Sequence, residues 1–252
     1  MTKTISTKQA LRYSRHILLS GFDLTKQETL MSANIAIIGV GGLGCAAAQY
    51  LVASGIGKLT IVDDDVVEFT NLQRQVLHTE ATLGQKKVIS AKATLTNINS
   101  EVKITSIDKR LNDGEITALA ASHDLVIDCS DNLSTRNQIN ASCYHSQTPL
   151  VSGAAIRMEG QVFCVIPAEQ SACYGCISQY FGEQNLSCVE SGVMSPLVGI
   201  IGATQAIEAI KIITHYGKPA VNKLCLYDAM SATWQTFDVQ RSSSCEVCGL
   251  GA

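Results

Sequence analysis

A short apolar run meets a glycine-rich turn in Ile35-Ala-Ile-Ile-Gly39-Val-Gly-Gly-Leu-Gly44, and this stretch decides the fold. The apolar run has the pattern of a buried parallel strand. The following residues, Cys45 to Ser54, are rich in Ala and Leu and predict a helix, and Lys58-Leu-Thr-Ile-Val-Asp63 predicts the next strand. A strand–helix–strand unit with glycines at this spacing is typical of Rossmann-like folds.

The glycine spacing also predicts a ligand. Glycines at positions 39, 41 and 44 let a phosphate approach the helix N-terminus, where free N–H groups and the helix dipole attract negative charge. Asp63 ends the second strand, where a carboxylate accepts hydrogen bonds from ribose hydroxyls. The pattern predicts a nucleotide without saying which, and NAD is the usual ligand of such a turn.

Cationic residues downstream favour a triphosphate over NAD. Arg74 and Lys87 follow the second strand and can offset the charge of a triphosphate while a phosphate bond breaks. A solvated basic patch is the alternative, and we prefer that interpretation for Lys86.

A second acidic position follows the next predicted strand, Asp124-Leu-Val-Ile-Asp-Cys129. Asp131 lies just beyond its carboxyl end, at the edge where open α/β sheets bind ligands. It is a candidate ligand for Mg²⁺, which prefers carboxylates and phosphate oxygens. The alternative role for Asp131 is the N-cap of a helix that starts near Leu133.

Two cysteine pairs lie far apart in the chain, Cys173-Tyr-Gly-Cys176 and Cys245-Glu-Val-Cys248. Each C-x-x-C places two thiolates on one tight turn, and two such turns supply the four ligands of a tetrahedral zinc ion. Four thiolates leave no open coordination position, so the zinc would be structural and would clip the end of the chain onto its middle. Redox-active or incidental pairs are the alternative.

Composition sets the outer limits. Hydrophobic residues make up 46% of the 252 residues, which is too many for a disordered chain. No linker or repeat is visible, so we expect one domain over 1–252, with a helical segment at 1–30, a nucleotide-binding half at 31–155 and a second half at 156–252. The net charge of −3 argues against nucleic-acid binding. Ten cysteines without a signal-like N-terminus indicate the cytoplasm, and glycines and an acidic run argue against a membrane span at 33–57.

The second half predicts an extension of the sheet. Three strand-like segments, Gln161 to Ile166, Lys223 to Tyr227 and Trp234 to Val239, suggest antiparallel strands. Pro196 should open a core helix that runs to about Tyr216, with Gly199 and Gly202 allowing close packing. The polar stretch between Ser178 and Ser195 predicts a mobile loop. The predicted fold class is therefore α/β, a mostly parallel Rossmann-like sheet extended by antiparallel strands, with a four-cysteine zinc clip.

Motifs along nearly the whole chain resemble those of the ubiquitin-activating-like (HesA/MoeB/ThiF) family, and within it the bacterial sulfur-carrier adenylyltransferases. The shared motifs are Arg12-Tyr-Ser-Arg15, Gly39-Val-Gly-Gly-Leu-Gly44, Asn71-Leu-Gln-Arg-Gln75, Asp128-Cys-Ser-Asp-Asn132 and both cysteine pairs. One branch of these enzymes serves molybdopterin synthase and another serves thiamine thiazole synthesis. The segments 151–160, 188–196 and 227–230 resemble the molybdopterin branch more closely.

The resemblance implies a reaction and a partner. A ubiquitin-like sulfur carrier ending in Gly-Gly would attack the α-phosphate of ATP through its terminal carboxylate, and pyrophosphate would leave, as a step in molybdenum cofactor biosynthesis. It further implies a homodimer, in which Arg15 reaches the phosphates of the partner subunit, and a carrier that docks on the second half. Arg15, Arg74, Lys87 and Asp131 would be catalytic, with Asp131 on Mg²⁺. The implied nucleotide-binding residues are Gly42, Asp63, Thr70, Asn71, Leu72, Gln73, Arg74, Lys87, Asp131 and Asn132.

Alternatives remain at three points. In the thiamine branch a loop cysteine bonds covalently to the carrier, whereas we interpret Cys188 as a spectator because no adjacent group clearly lowers its pKa. An NAD-dependent oxidoreductase would need a hydride-transfer site that the sequence does not reveal. A non-catalytic zinc scaffold would leave the four candidate catalytic residues without a role. The five histidines are scattered and receive structural interpretations.

Overall fold

The computed structural model describes residues 4–178 and 191–249. Within them, eight strands form one sheet in the order β3-β2-β1-β4-β5-β6-β7-β8. The strands are β1 Asn34–Ile38, β2 Lys58–Val62, β3 Lys103–Ile107, β4 Leu125–Asp128, β5 Leu150–Ile156, β6 Glu159–Val165, β7 Lys223–Asp228 and β8 Thr233–Asp238.

The sheet changes character along its width. Strands β1 to β5 pair in parallel, whereas β6, β7 and β8 extend the sheet by antiparallel pairing. The predicted mixed α/β fold is therefore confirmed. The strand order reverses between β1 and β4, which are parallel neighbours. Strands β2 and β3, which follow β1 in the chain, lie on one side of this pair, and β5, which follows β4, lies on the other side. Such a switch point opens a crevice at the carboxyl ends of the strands.

Nine helices accompany the strands in the described part of the chain. They are α1 Thr7–Arg12, α2 Ser14–Ile17, α3 Asp23–Ser32, α4 Gly42–Ser54, α5 Lys87–Ile98, α6 Asp113–Ala121, α7 Leu133–His145, α8 Tyr174–Ser178 and α9 Ser195–Thr214. Short 3₁₀ turns occur at Phe69–Asn71, Glu80–Thr82 and Pro167–Glu169.

Alternating side chains of the parallel strands divide the core into two layers, because successive residues of a strand face opposite sides of a sheet. Ile35 and Ile37 pack in one layer with residues of α3, α4, α5 and α9. Ala36 and Ile38 pack in the other layer with residues of α6 and α7 and with the four cysteines of the two C-x-x-C pairs. The cysteine pairs therefore lie on the same side of the sheet as α7.

Helix α9 is the one helix of the described residues that is long and apolar enough to cross a membrane by length and composition. Here it packs against α4, where Gly202 is essential because a Cβ atom would lie 2.3 Å from the carbonyl oxygen of Leu43. The expected core helix is confirmed. The expectation for Gly199 was wrong, since a Cβ atom there would meet nothing within 4 Å.

The glycine-rich turn between β1 and α4 is tightly closed. A Cβ atom on Gly44 would lie 1.9 Å from the carbonyl oxygen of Gly39, and Gly39 itself has a φ of 93°. Both positions therefore require glycine. The turn brings the N-terminus of α4 directly to the carboxyl end of β1.

Candidate functional site

A cleft of about 960 Å³ opens at the carboxyl ends of the central strands. The start of α4 at Gly41 and Gly42 lines it, and so does the turn after β4 at Asp131. The same cleft continues to the antiparallel strands, where Tyr227 and Gln235 line it. One continuous cavity thus connects a helix N-terminus with the extended edge of the sheet.

Six of the predicted site residues line this cleft, and the others lie beside it or elsewhere. The lining residues are Gly42, Asp63, Arg74, Lys87, Asp131 and Asn132. Thr70, Asn71, Leu72 and Gln73 are not among the lining residues and form the turn that precedes Arg74. Arg15 lies exposed on α2 and does not line the cleft of its own chain.

The turn before Arg74 is held by local hydrogen bonds. The backbone N–H of Glu68 donates to Oδ1 of Asn71 at 3.2 Å, and the Arg74 guanidinium donates to the carbonyl of Thr70 at 3.1 Å. Ser195, at the start of α9, donates to Oε1 of Gln73 at 2.5 Å. These contacts position the Arg74 side chain, while the predicted direct contacts of residues 70–73 with nucleotide stay predictions.

Asp63 is fixed at the end of β2 by two backbone donors. Its carboxylate accepts from the N–H of Val40 at 2.7 Å and from the N–H of Asp65 at 2.9 Å. Burial raises the pKa of Asp63, and the charge of Lys87 opposes that rise. The bond to Val40 ties Asp63 to the glycine-rich turn, so the two predicted nucleotide contacts are parts of one rigid unit.

Lys87 begins α5 and points its ammonium group towards the cleft. Its Nζ lies 2.7 Å from Oδ2 of Asp65, and the side chain of Lys87 is 7% exposed whereas that of Asp65 is 66% exposed. The adjacent Lys86 instead pairs with Asp108, outside the cleft lining. The two consecutive lysine side chains therefore point in different directions. The Lys86 side chain lies outside the cleft lining, as its interpretation as part of a solvated basic patch expected.

The N-cap of α7 is Asn132, not Asp131. Oδ1 of Asn132 accepts the N–H of Thr135 at 2.9 Å, so the alternative role proposed for Asp131 was wrong. The Asn132 amide donates to the Asp131 carboxylate at 3.4 Å, and Asp131 is exposed in the cleft. Its oxygens are thus accessible to a cation.

Below this turn lies a buried ion pair that sequence reasoning missed. Nε of Arg136 lies 3.2 Å from Oδ2 of Asp128, and neither side chain is more than 9% exposed. Burial lowers the pKa of Arg136, but Asp128 and Tyr174 together more than offset this, so the net shift is upward. Ser130 and Ser152 also donate to the Asp128 carboxylate, at 2.6 and 2.8 Å. No local pattern reveals this pair, because Asp128 ends β4 whereas Arg136 lies on α7.

Lys109 and Arg110 line the cleft and were missed because they belong to no motif, whereas Gln75 was missed although it ends one. Lys109 and Arg110 follow β3 and add two cations to the cleft. Gln75 ends the predicted motif at 71–75, and its Oε1 is buried without a hydrogen-bond partner among the described residues. An unpaired buried acceptor beside a cleft is costly and is relieved when a donor binds there.

The four cysteines of the two C-x-x-C pairs converge. Their sulfur atoms all lie within 4.8 Å of one another, with 3.6 Å between Cys173 and Cys245 and 3.3 Å between Cys176 and Cys248. Zn–S bonds of ~2.3 Å give sulfur separations of about 3.8 Å at the corners of a tetrahedron. The cluster therefore fits a zinc ion without rearrangement of the backbone.

A buried amide supports this fit. Asn140 is completely buried, and its Nδ2 donor has no hydrogen-bond partner among the described residues. Burial raises the pKa of the Cys173 thiol to about 11, and the Asn140 side chain acts in the opposite direction. Amide donors outside the ligand set of a metal commonly form hydrogen bonds to its thiolate ligands. The unpaired amide is accounted for if Cys173 is a metal-bound thiolate.

The remaining candidates have structural roles or fall outside the described residues. His78 is buried, with its ring nitrogens 3.0 Å from Oγ of Ser90 and 3.2 Å from the carbonyl oxygen of Val40. Burial lowers its pKa, as expected for a neutral core histidine. Cys188 and most of the loop predicted to be mobile lie at 179–190, outside the described residues.

Comparison with known proteins gives consistent matches over nearly the whole chain. A profile of the ThiF family matches residues 13–247. The molybdopterin-synthase adenylyltransferase of Salmonella typhimurium is 52% identical, over 97% of this chain and 98% of the relative. The sulfur carrier protein ThiS adenylyltransferase of Escherichia coli is 38% identical, over 97% of each chain. The crystal structure of E. coli MccB with ATP has a TM-score of 0.81 at 25% identity, covering 94% of this chain and 74% of that one.

Proposed function

The chain belongs to the ThiF family and is an adenylyltransferase, and we infer that it adenylates the small subunit of molybdopterin synthase at its C-terminal carboxylate. The higher identity to a molybdopterin-synthase adenylyltransferase than to a ThiS adenylyltransferase supports this choice of carrier. The same relatives favour nucleotidyl transfer over the hydride transfer of an NAD-dependent oxidoreductase.

One observation carries the proposal, namely that a single cleft joins the α4 N-terminus to the antiparallel strands. The nucleotide would bind at the first end, and the carrier tail would enter from the second. Met230 in the turn between β7 and β8 is 78% exposed, and Trp234 is 45% exposed with its ring packed against Tyr227 of the cleft lining, 4.8 Å between the ring centres. Exposed apolar surface beside a cleft is typical of protein-docking sites.

The chemistry requires no nucleophile from the enzyme. A carboxylate oxygen of the carrier forms a bond to the α-phosphorus of ATP, and the bond from that phosphorus to the bridging oxygen breaks. The electron pair leaves with pyrophosphate, and the carrier is left as an acyl-adenylate. No proton is transferred in this step, so the enzyme contributes positioning and charge stabilisation.

The charges around the cleft suit that task. We assign the phosphates to the α4 N-terminus, Arg74 and Lys87, all of which line the cavity. Asp131 would hold Mg²⁺, which would neutralise phosphate charge when bound. Asp63 would accept hydrogen bonds from the ribose, because its position at the end of β2 is the usual one for that contact.

Three further properties belong to this proposal. The cysteine cluster would hold one structural zinc ion in each chain. The enzyme would act as a homodimer in which Arg15 of the partner subunit completes the site, since Arg15 lies exposed outside its own cleft. It would work in the cytoplasm, where the cysteines remain reduced.

The carrier assignment is tested by offering the enzyme two carriers. Equal amounts of the molybdopterin-synthase small subunit and of the thiamine sulfur carrier are incubated separately with enzyme, ATP and Mg²⁺. Intact mass spectrometry then measures the adenylated carrier. We expect adenylate on the molybdopterin carrier in large excess. Preferential adenylation of the thiamine carrier would contradict the assignment while leaving carrier adenylation itself intact.

A further inference from the structure

Helix α7 carries three polar side chains on one face, at the four-residue spacing that stacks side chains along a helix. Asn132 caps the helix beside the cleft, Arg136 lies one turn further along, and Asn140 lies beside the cysteine cluster. The face of α7 formed by these residues therefore runs from the candidate Mg²⁺ site to the candidate zinc site. The sequence motifs predicted both ends of this connection but not the residues of α7 that join them.

At the cleft end, Arg136 holds the turn that presents Asp131. Its guanidinium donates to the carbonyl of Ser130 at 2.8 Å and to the carbonyl of Gly153 on β5 at 3.1 Å, in addition to the ion pair with Asp128. Ser130 is the residue immediately before Asp131. The position of the Asp131 backbone thus depends on where the Arg136 side chain lies.

The position of Arg136 depends in turn on Tyr174. The guanidinium carbon lies 5.4 Å from the centre of the Tyr174 ring, within the range of cation–π contacts. Tyr174 is 6% exposed. It follows Cys173 directly and lies between the two cysteines of the first pair. A metal ion that fixes this pair also fixes the ring.

The amide of Asn140 joins both elements. Its Oδ1 accepts the backbone N–H of Tyr174 at 2.8 Å, and its buried Nδ2 donor has no hydrogen-bond partner among the described residues. Asn140 does not line the cleft. It therefore connects α7 to the cysteine turn without access to a bound nucleotide.

We propose that Asn140, Tyr174 and Arg136 form a brace by which the metal at the cysteine cluster positions Asp131 and so sets the affinity for Mg²⁺–nucleotide. All three act as positioning residues in this proposal, although Arg136 and Tyr174 also line the cleft. The zinc site then has a role in nucleotide binding as well as in stability. The inference rests on the proposed nucleotide site but goes beyond it, because the zinc ligands themselves lie outside the cleft lining.

The first test compares two substitutions in α7. Asn140→Leu removes the central contact of the brace. Ser142→Ala is the matched control, since Ser142 is also buried and accepts a hydrogen bond from Thr117, at 3.1 Å, on the neighbouring helix. Dissociation constants for a fluorescent, non-hydrolysable ATP analogue are measured with Mg²⁺ and in Mg²⁺-free buffer, together with zinc content and melting temperature.

We expect Asn140→Leu to weaken binding of the analogue about tenfold in the presence of Mg²⁺, the scale typical of lost outer-shell contacts. Binding without Mg²⁺ should change little, because only the position of Asp131 is affected. Ser142→Ala should leave both constants unchanged even if it lowers the melting temperature. Unchanged Mg²⁺-dependent binding in a folded Asn140→Leu protein would overturn the proposal.

The second test removes the metal from the wild type and from Tyr174→Leu, with Tyr174→Phe as the conservative variant that keeps the ring. Removal of zinc from the wild type should weaken binding of the Mg²⁺–analogue about as much as the Tyr174→Leu substitution does. Removal of zinc from Tyr174→Leu should weaken its binding little further. Tyr174→Phe should bind like the wild type. Additive effects of the two changes would contradict the brace, because independent effects add.

These outcomes are separable from failure of the proposed function. If the wild-type protein does not bind the Mg²⁺–analogue at all, the nucleotide site itself is wrong. If zinc-free wild type does not stay folded, the folded Asn140→Leu protein decides the question through its Mg²⁺-dependent dissociation constant, because Asn140, unlike Tyr174, does not line the cleft.

Discussion

Nζ of Lys87 lies 2.7 Å from Oδ2 of Asp65 at the wall of the cleft, where the Lys87 side chain is almost completely buried. A lysine with one exposed carboxylate partner keeps donors available, because an ammonium group has three. The pair therefore holds the ammonium group at the wall of the cleft. We propose that the exposed Asp65 side chain turns into solvent when a nucleotide phosphate binds Lys87.

Lys87→Gln should reduce adenylation by roughly 10²-fold, since removal of a charge that stabilises a developing phosphate anion costs about 3 kcal/mol. Lys86→Gln is the matched control, because Lys86 pairs with Asp108 outside the cleft lining. Initial rates of carrier-dependent pyrophosphate–ATP exchange measure both. Equal losses in the two variants would show that general basic charge, and not the position of Lys87, is what matters.

Asp131→Ala should abolish adenylate formation and leave the fold intact. Asp131 is exposed and is not the cap of α7, so its loss should cost less than about 0.5 kcal/mol of stability. Loss of an Mg²⁺ ligand should cost several kcal/mol in the transition state. The measurement is the exchange rate as a function of Mg²⁺ concentration, with melting temperature as the check on folding.

Asp108→Ala provides the control for Asp131→Ala. Asp108 follows β3 as Asp131 follows β4, but it pairs with Lys86 outside the cleft lining. The Asp108 variant should retain its Mg²⁺ dependence. Wild-type exchange by Asp131→Ala would remove Asp131 from the site.

Cys248→Ser should lower zinc content and destabilise the protein, since structural zinc sites contribute directly to folding. A loss of about 3 kcal/mol would lower the melting temperature by roughly 6–12 °C. Cys225→Ser is the control, because Cys225 is a half-buried thiol of β7 outside the cysteine cluster. Metal analysis should find one zinc ion per chain in the Cys225→Ser control. If freshly purified wild-type protein contained no zinc, the zinc assignment would be contradicted.

A mixture of Arg15→Ala and Asp131→Ala subunits tests the shared site. If Arg15 acts on the nucleotide of the partner subunit, each mixed dimer has one site with both defects and one intact site. Random exchange makes half the dimers mixed, so about one quarter of full activity should return. Mixtures that stay inactive after demonstrated subunit exchange would contradict a shared site, because each site would then carry one defect.

The sequence predicted those parts of the structure that local residue patterns determine. The run from Ile35 to Gly44 placed β1, the turn and α4, because buried strands and glycine-dependent turns have strong local signatures. The cysteine spacing likewise predicted the cluster. By contrast, the importance of Gly199 was misjudged, since whether a glycine faces a neighbouring helix depends on the angle at which the helix docks.

The missed parts of the site depend on contacts distant in sequence. Arg136 reaches Asp128, Ser130 and Gly153 only after β4, α7 and β5 have come together. The contact between Arg136 and Tyr174 joins segments 38 residues apart, a separation that periodicity cannot reveal. The alternative role of Asp131, as the cap of α7, lies one residue before the observed cap, because Asp and Asn are both good N-caps and local sequence does not choose between neighbours.

Carrier-dependent pyrophosphate–ATP exchange tests the central claim most directly. Enzyme, ATP, Mg²⁺ and labelled pyrophosphate are combined with the molybdopterin-synthase small subunit, with the same carrier lacking its last glycine, or with no carrier. Label should enter ATP only with the intact carrier, because its terminal carboxylate is the nucleophile. Exchange that is equally fast without a carrier, or no exchange with the intact one, would contradict carrier adenylation.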